Sequence, residues 1–388
     1  MSVRDWLARM RRRWLRPGIV RGVAGRGSRR RALLLYTLEA FLPSGRAEAH
    51  QNAGQQRTLA RVLGEMGYTV DVVDFSETRR RLLRKRYDLV VDIHPRREPL
   101  YAKRLRPDAR RIAYLTGSNP EFSNRAERKR LDDLQRRRGI RLEPRRQVEP
   151  FPPGLLNEFD AWLYFGDART LATFEPRPGL AAFRLFNNGL EGVEPTDPTL
   201  RNPRRFLFLG GYGQVHKGLD LLLETFAEAP DLHLTVCSQY EREPDFVRAF
   251  RREMFGVSSV RAAGFVDVRG PRFRELQSTC GHLLLPSCSE GEATNVTVAL
   301  SFGLPCVVSD ACGFDDPEIQ VLPDCRLETL ATEVRRLAAT PRPQLESEIH
   351  ASVALVRRRY RPEHYETAVR KALAATLAAA RTRPLDGR

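Results

Sequence analysis

The sequence predicts an α/β protein in which two doubly wound parallel sheets face a central cleft. Short apolar runs alternate with amphipathic stretches along the chain, a pattern typical of parallel strands covered by helices on both faces. The alternation stops once, at a segment rich in Pro and Gly, and then begins again. A basic stretch precedes the first apolar run. We therefore predict two domains that follow an amino-terminal arm.

The composition is that of a folded globular protein, with 388 residues of which 41% are hydrophobic. The formal charge of +17 is concentrated in one place, since residues 1–31 contain eleven arginines and a single acid and so supply +10 of it. Outside this stretch the basic residues lack the interleaved aromatic side chains that stack on nucleic-acid bases. We expect no binding to nucleic acid.

Residues 1–30 form the predicted basic arm. Within the first fifteen residues, apolar side chains recur at helical spacing among the arginines: Val3, Trp6, Leu7, Met10 and Trp14. A helix of this kind can lie on an anionic membrane surface, and a terminal run of arginines is equally typical of a disordered or docked tail. No apolar run is long enough for a signal peptide or a transmembrane helix. We expect a cytoplasmic protein, peripheral at the inner face of the membrane if the arm binds lipid.

The first domain is predicted to cover residues 31–188. Its strands are expected at Arg31–Leu38, Tyr68–Asp74, Tyr87–Ile93, Arg111–Leu115, Ala161–Phe165 and Ala182–Phe186. Its helices are expected at His50–Gly67, Glu77–Arg86 and Phe122–Arg138. The last of these is charged on most faces, which favours a solvated surface and leaves open a role in docking a polyanionic acceptor.

Residues 189–203 are predicted to be a linker because they contain several Pro and Gly residues and no periodicity. The second domain, 204–361, repeats the alternation. Its strands are expected at Phe206–Leu209, Leu232–Cys237, Ser259–Ala263, His282–Leu285 and Pro305–Ser309, and its helices near Lys217–Ala229, Asp245–Phe255, Phe273–Thr279 and Ala293–Phe302. Residues 362–388 are predicted to form a final helix.

The cysteines argue against a metal site. None of the six forms a C-x-x-C pair, no Cys/His cluster has zinc spacing, and no Asp-x-Asp motif occurs. Most of them lie in apolar stretches, where cysteine packs as a small hydrophobe. We predict a reducing compartment, no metal and no other cofactor.

Two loops carry the candidate chemistry. In the first, a strand runs into Gly210, Gly211 and Gly213 and then Lys217-Gly218 before a helix. Glycines allow a ligand to approach the backbone, and a cation at a helix N-terminus attracts phosphate. The spacing is not that of a P-loop, and a tight strand-to-helix turn explains the glycines equally well.

The second loop follows the strand that ends at Pro286 and leads into a helix that Gly303 stops. It contains the polar residues Ser287, Ser289 and Glu290, followed by Gly291. A carboxylate at this position can cap the helix. It can also accept hydrogen bonds from sugar hydroxyls while free backbone amides bind phosphate.

Together the two loops resemble the GT-B glycosyltransferases, specifically the family 4-like (group 1) enzymes. The family's G-R-x4-K-G motif is matched by Gly211 and Lys217-Gly218, and its P-S-x-x-E-G segment by Pro286-Ser287 and Glu290-Gly291, with Gly303-Leu304-Pro305 at the family's later G-x-P. The resemblance implies that residues 31–188 form an acceptor-side Rossmann-like domain and 204–361 a donor-binding one. It also implies that the helix of 362–388 crosses back to the first domain.

The resemblance further implies roles for individual residues. Lys217 would neutralise the donor diphosphate, Glu290 would contact the donor sugar, and His94 is the nearest substitute for a catalytic histidine that many members carry in the loop here occupied by residues 116–120. A lone histidine is also commonly structural. The expected donor-binding residues are Gly45, Gly211, Tyr212, His216, Lys217, Phe265, Ser287, Ser289, Glu290, Gly291, Glu292, Ala293 and Thr294.

The implied reaction is retaining, metal-independent transfer of a hexosyl group from a nucleotide-diphosphate sugar to a glycan or lipid-linked acceptor, commonly in polysaccharide biosynthesis. Two positions depart from the family pattern. Tyr212 replaces an arginine, and Val298 replaces a glutamate that usually holds the ribose. These departures leave open a catalytically degenerate protein that binds a nucleotide sugar or a partner. A sugar-nucleotide epimerase on a similar fold would need an acid/base set that the sequence does not show.

Overall fold

The computed structural model describes residues 18–42 and 52–379, which form two α/β units. The first unit is a seven-stranded sheet in the order β1-β3-β2-β4-β5-β6-β7. All neighbouring strands are parallel except β1, which runs antiparallel to β3. The strands are β1 (Ile19–Ala24), β2 (Arg30–Tyr36), β3 (Tyr68–Asp74), β4 (Tyr87–Asp92), β5 (Leu105–Leu115), β6 (Ala161–Phe165) and β7 (Ala181–Leu185).

The second unit is a six-stranded, all-parallel sheet in the order β10-β9-β8-β11-β12-β13. Its strands are β8 (Asn202–Leu209), β9 (His233–Cys237), β10 (Val260–Gly264), β11 (Cys280–Leu285), β12 (Cys306–Val308) and β13 (Gln320–Val321). Chain order reverses on either side of β8, as it does in doubly wound sheets. The predicted fold class is confirmed.

Helices cover the sheets. The first unit contains α1 (Asn52–Glu65), α2 (Glu98–Tyr101), α3 (Pro120–Arg138) and α4 (Ala168–Ala172). The second contains α5 (Leu219–Ala227), α6 (Pro244–Ala249), α7 (Arg251–Phe255), α8 (Pro271–Ser278), α9 (Thr294–Ser301), α10 (Leu327–Ala338) and α11 (Arg342–Arg359). The last helix is α12 (Pro362–Ala378).

Three local predictions differ from the structure. Ile19–Ala24 lies inside the predicted arm of residues 1–30 but is the edge strand β1, because its backbone pairs with β3. The helix predicted for Glu77–Arg86 is a single 3-10 turn at Arg80–Leu82, since the segment has too few apolar residues to form a helical stripe. Strand β8 begins at Asn202, within the predicted linker.

Helix α3 is solvated on only part of its surface, because another side of it packs on the second domain. Leu134 is fully buried in the hydrophobic core of the second domain. Arg137 forms ion pairs with Asp220 at 3.1 Å and Glu224 at 2.8 Å, both on α5. The charged residues of this first-domain helix therefore serve as partners for acids of the second domain.

The last helix lies against the first domain. The Tyr365 hydroxyl is 3.0 Å from the Tyr114 hydroxyl on β5, and Arg370 pairs with Glu65 of α1. The chain passes between the domains twice, and the two passages touch where the Gly189 N–H donates to the Tyr360 carbonyl at 2.7 Å. These two passages form the hinge region.

Replacing Leu134 with Ala tests the docking of α3. A fully buried leucine typically contributes about 2–5 kcal/mol, so we expect a loss of that size in the free energy of unfolding, measured by urea titration. The control is Arg128→Ala on the same helix, an exposed position expected to change stability by less than about 0.5 kcal/mol. Equal stability of the two variants would contradict the packing of α3 on the second domain.

Candidate active site

Lys217 and Glu290 meet at the carboxyl ends of two neighbouring strands. Lys217 follows β8 and Glu290 follows β11, and these strands are parallel neighbours. The carboxyl ends of parallel strands lie at one edge of the sheet, so side chains 73 residues apart in sequence form an ion pair between Nζ and Oε1. Their side chains are only 9% and 10% exposed. The tertiary fold unites the two sequence motifs.

The Glu290 carboxylate is held in its ionised form. The Ser287 hydroxyl donates to its Oε1 at 2.7 Å. Burial would raise the pKa of Glu290, but the charge of Lys217 and the hydrogen bond from its amine outweigh burial and hold the pKa at about 2. A carboxylate with this pKa carries no proton near neutrality. It can accept hydrogen bonds from hydroxyl groups but cannot act as a general acid.

His216 joins the two motif loops. Its Nε2 lies 2.6 Å from the Ser289 carbonyl, and its own carbonyl accepts from the Cys288 N–H at 2.9 Å. Burial lowers the pKa of His216 below its ordinary value, so the ring is neutral at pH 7. Through these two contacts His216 holds one loop against the other.

The glycine-rich loop is held by a residue that sequence reasoning missed. The Glu243 carboxylate accepts from the N–H of Gly213 at 2.6 Å and from that of Gln214 at 3.2 Å. The Gln214 amide in turn donates to the Gly211 carbonyl at 2.9 Å. The only signal for Glu243 in the sequence was that an acidic residue follows β9, a strand of the same sheet.

Tyr212 lies beneath the Arg242 guanidinium, which is 5.5 Å from the centroid of the tyrosine ring.

The backbone donors at the start of α9 are partly occupied. Three N–H groups already donate to carbonyls within the second domain: those of Cys288, Glu290 and Ala293. Others have no hydrogen-bond partner in residues 18–42 and 52–379, among them those of Gly291, Glu292 and Thr294. An anion at this helix N-terminus can therefore be bound by the second set and not by the first.

The first domain closes one side of the site. The Ser118 hydroxyl is 2.5 Å from the Ser289 hydroxyl. A Cβ placed on Gly291 would lie 2.5 Å from the Thr116 carbonyl oxygen, so only glycine fits there. The loop at residues 116–118 follows β5. It packs directly on the Glu290 loop.

Glu292 lies at the hinge. Its Oε2 accepts from the Asn187 N–H at 2.5 Å, and its Oε1 is 3.8 Å from Arg184 of β7. The side chain is fully buried, and burial raises the pKa of Glu292 to about 8. The Glu292 side chain is therefore a structural link at the hinge, and the donor-binding role that the resemblance implies for this residue stays a prediction.

His94 remains within the first domain. Its N–H donates to Asp92 at 2.7 Å, and its ring packs edge-on against Phe75 with centroids 5.9 Å apart. None of its contacts with the described residues involves Lys217 or Glu290. The structure therefore does not join this candidate catalytic histidine to the ion pair.

The remaining predicted positions are dispersed. Phe265 is 65% exposed in the loop after β10. Val298 lies on the buried face of α9, and its side chain offers no hydrogen-bond acceptor. Gly45 lies outside the described residues. Within the part of the chain that the structure describes, no group of three His, Cys, Asp or Glu side chains could hold a metal ion.

Replacing Glu292 with Gln tests its buried protonated state. The pKa of Glu292 in the folded protein, about 8, lies above its ordinary value of 4.5. Its contribution to the free energy of unfolding is therefore fully present below pH 4.5 and is lost as the pH rises toward 8. The loss is at most about 1.4 kcal/mol per pH unit. Gln resembles the protonated acid and removes this loss. We expect the melting temperature of Glu292→Gln to rise relative to that of wild type as the pH increases from 5 to 8. The exposed Glu363→Gln serves as the control, and parallel pH profiles for all three proteins would refute the assignment.

Comparisons with known proteins bear on the fold and on the second domain. Residues 203–340 match the family model of the glycosyl transferases group 1. No curated protein matches the chain significantly in sequence. The sucrose-phosphate synthase of Thermosynechococcus elongatus superposes with a TM-score of 0.58 at 13% identity, covering 91% of this chain and 100% of that one. HepE of Anabaena, solved with UDP and glucose, superposes with a TM-score of 0.56 at 14% identity, covering 90% of this chain and 99% of that one.

A third similar structure is S. aureus TarM, solved as a variant in complex with fondaparinux, α-GlcNAc-glycerol and UDP. Its TM-score is 0.51 at 10% identity, covering 75% of this chain. The chain spans only 55% of the length of TarM. The chain therefore has the fold of these glycosyltransferase structures, and its residues 203–340 are similar to the glycosyl transferases group 1.

Proposed function

We propose that the chain transfers a sugar from a nucleotide-diphosphate-sugar donor to a glycan or lipid-linked acceptor, with retention of configuration and without a metal ion. The observation that carries this proposal is the Lys217–Glu290 pair at the strand ends of β8 and β11, next to unpaired N–H groups at the start of α9. UDP in the HepE and TarM structures supports the donor class.

In this proposal the donor diphosphate binds at the N-terminus of α9. Negative charge builds on the diphosphate oxygen as its bond to the sugar breaks. The Lys217 ammonium and the free N–H groups of Gly291, Glu292 and Thr294 stabilise that charge without having to reorganise. This supplies the leaving-group stabilisation that a metal ion provides in other enzymes.

Glu290 has a separate role in this mechanism. Because its pKa is about 2, it remains a hydrogen-bond acceptor throughout the reaction, and its free oxygen can bind hydroxyls of the donor sugar. The ion pair orients both side chains before the donor arrives. Retention is what the family resemblance implies, and the configuration of the product, determined by NMR, tests it.

Contact between the domains protects the donor from hydrolysis. Ser118 and Thr116 of the first domain lie against the Glu290 loop, so this face of the site is dry when the domains are together. Entry of the donor requires the domains to separate at the hinge passages near Asn187 and Tyr360. Closure then excludes water during transfer.

A second candidate function is binding of a nucleotide sugar without catalysis. Val298 favours it, because an apolar side chain packed in the core cannot hold the ribose hydroxyls. The two functions differ in one observable: the catalyst releases a nucleoside diphosphate, and the binder does not.

Substitution of the ion pair tests the catalytic proposal. With a panel of UDP-, GDP- and ADP-sugars and glycan or lipid-linked acceptors, we expect Lys217→Ala and Glu290→Gln each to slow nucleoside-diphosphate release by about 100-fold or more, since each removes a preorganised charge. The matched controls are Lys371→Ala and Glu228→Ala, exposed positions away from the site, which should keep wild-type turnover.

Each variant is first checked by thermal melting, because removal of one partner leaves the other as an unpaired buried charge. Folded variants with wild-type turnover would refute the roles of Lys217 and Glu290. Wild-type protein that binds a nucleotide sugar but releases no diphosphate with any acceptor would favour the second candidate function.

We also propose that the basic arm attaches the enzyme to an anionic membrane surface, where lipid-linked acceptors are found. No helix in the described part of the chain has the length and apolar character to cross a bilayer. The proposal rests on the charge and apolar spacing of the first fifteen residues in sequence.

Liposome flotation tests this attachment. We expect the full chain to float with vesicles containing anionic lipid, to float less with neutral vesicles, and to lose binding in high salt. The comparison variant lacks residues 1–17 and keeps Ile19–Ala24, because removal of that strand would damage the sheet. Equal flotation of the two proteins on anionic vesicles would refute the role of the arm.

A further inference from the structure

Arg146 lies where the first domain meets the glycine-rich loop of the second. The Glu127 carboxylate on α3 accepts from the backbone N–H of both Arg145 and Arg146 at 2.9 Å. The Gln147 side-chain amide donates to the same carboxylate at 2.7 Å. Glu127 is itself buried. The backbone at Arg146 is therefore fixed relative to the docked helix α3.

The side chain of Arg146 crosses the glycine-rich loop. A Cβ placed on Gly213 would lie 2.5 Å from Arg146 Cγ, 3.0 Å from its Cδ and 3.4 Å from His216 Cβ. Gly213 also has φ +90°, a conformation that favours glycine. The loop thus leaves room for the arginine stem directly beside His216, the neighbour of Lys217.

Arg146 is an exposed residue, and its guanidinium has no hydrogen-bond or ion-pair partner in residues 18–42 and 52–379. Its charge nevertheless reaches the ion pair. Beyond burial and the larger effect of Lys217, Arg146 contributes to lowering the pKa of Glu290. An unpaired cation this close to a site for a diphosphate is available to bind it.

Neighbouring cations are already engaged. Arg145 pairs with Asp245, Arg242 covers the Tyr212 ring, and Arg130 donates to the Pro286 carbonyl at 3.1 Å. Position 212, where the related enzymes carry an arginine, holds a tyrosine in this chain. The second cation expected for the donor diphosphate is therefore missing from the loop itself.

We propose that Arg146, supplied by the first-domain segment after α3, replaces this missing cation and binds the donor diphosphate together with Lys217. The inference rests on the proposed function and deepens it. The donor site is then composite: Lys217 comes from the second domain and Arg146 from the first. Binding of the diphosphate is complete only while α3 is docked.

The test is nucleotide affinity, measured by calorimetry on the full chain. UDP, GDP and ADP are titrated first, and the tightest ligand is then compared with its parent nucleoside. Arg146→Ala is expected to weaken binding of the nucleoside diphosphate by about 10- to 100-fold, the range for loss of one charged hydrogen-bonding partner. Binding of the nucleoside should not change. Arg141→Ala, an exposed arginine in the same segment, is the matched control and should bind as wild type does.

A rescue variant separates charge from loop geometry. Tyr212→Arg in the Arg146→Ala background returns a cation to the loop and is expected to recover most of the lost affinity, and Arg146→Lys should lose less than Arg146→Ala. Thermal melting of each variant confirms folding.

Three outcomes would overturn the inference: equal affinity of Arg146→Ala and Arg141→Ala, an equal loss for nucleoside and diphosphate, or a loss that Tyr212→Arg does not reverse. If wild-type protein binds none of the three diphosphates, the proposed function itself fails, and Arg146 with it. Tight binding by wild type with unchanged binding by Arg146→Ala would leave the proposed function standing and reject only the role of Arg146.

Discussion

The buried ion pair between Lys217 and Glu290 is the interaction on which the candidate site depends. Burying two charges is costly, and the cost is offset only when each charge is close to the other and further hydrogen bonds are made. Here the Ser287 hydroxyl donates a further hydrogen bond to the carboxylate, and His216 holds together the two loops that carry the pair. The parallel pairing of β8 with β11 makes this arrangement possible, because it places both loops at one edge of the sheet.

The contact between the domains is the second constraint. Helix α3 belongs to the first domain in sequence, yet Leu134 packs in the core of the second and Arg137 pairs with acids of α5. At the hinge, Glu292 links Asn187 to the start of α9. Any opening that admits a donor must break some of these contacts, so ligand binding and domain movement are coupled through them.

The two departures from the family pattern, Tyr212 and Val298, have different consequences in the folded protein. Val298 is part of the core and offers no acceptor for a ribose hydroxyl. Tyr212 leaves a gap in positive charge, but the segment after α3 brings Arg146 across the same loop. A loss in one motif can therefore be compensated by a residue that is remote in sequence and adjacent in space.

The sequence by itself determined the two parallel sheets, since apolar strand runs and helical spacing depend only on local pattern, and it identified Lys217 and Glu290 through their motifs. Residues whose role depends on long-range contacts were decided only by the tertiary structure. The Glu292 carboxylate makes a contact at the hinge, Glu243 supports the glycine-rich loop, and the charged helix α3 packs on the second domain. The physical reason is that a charge pattern shows what a side chain can bind, whereas the partner that it meets is set by packing between distant segments.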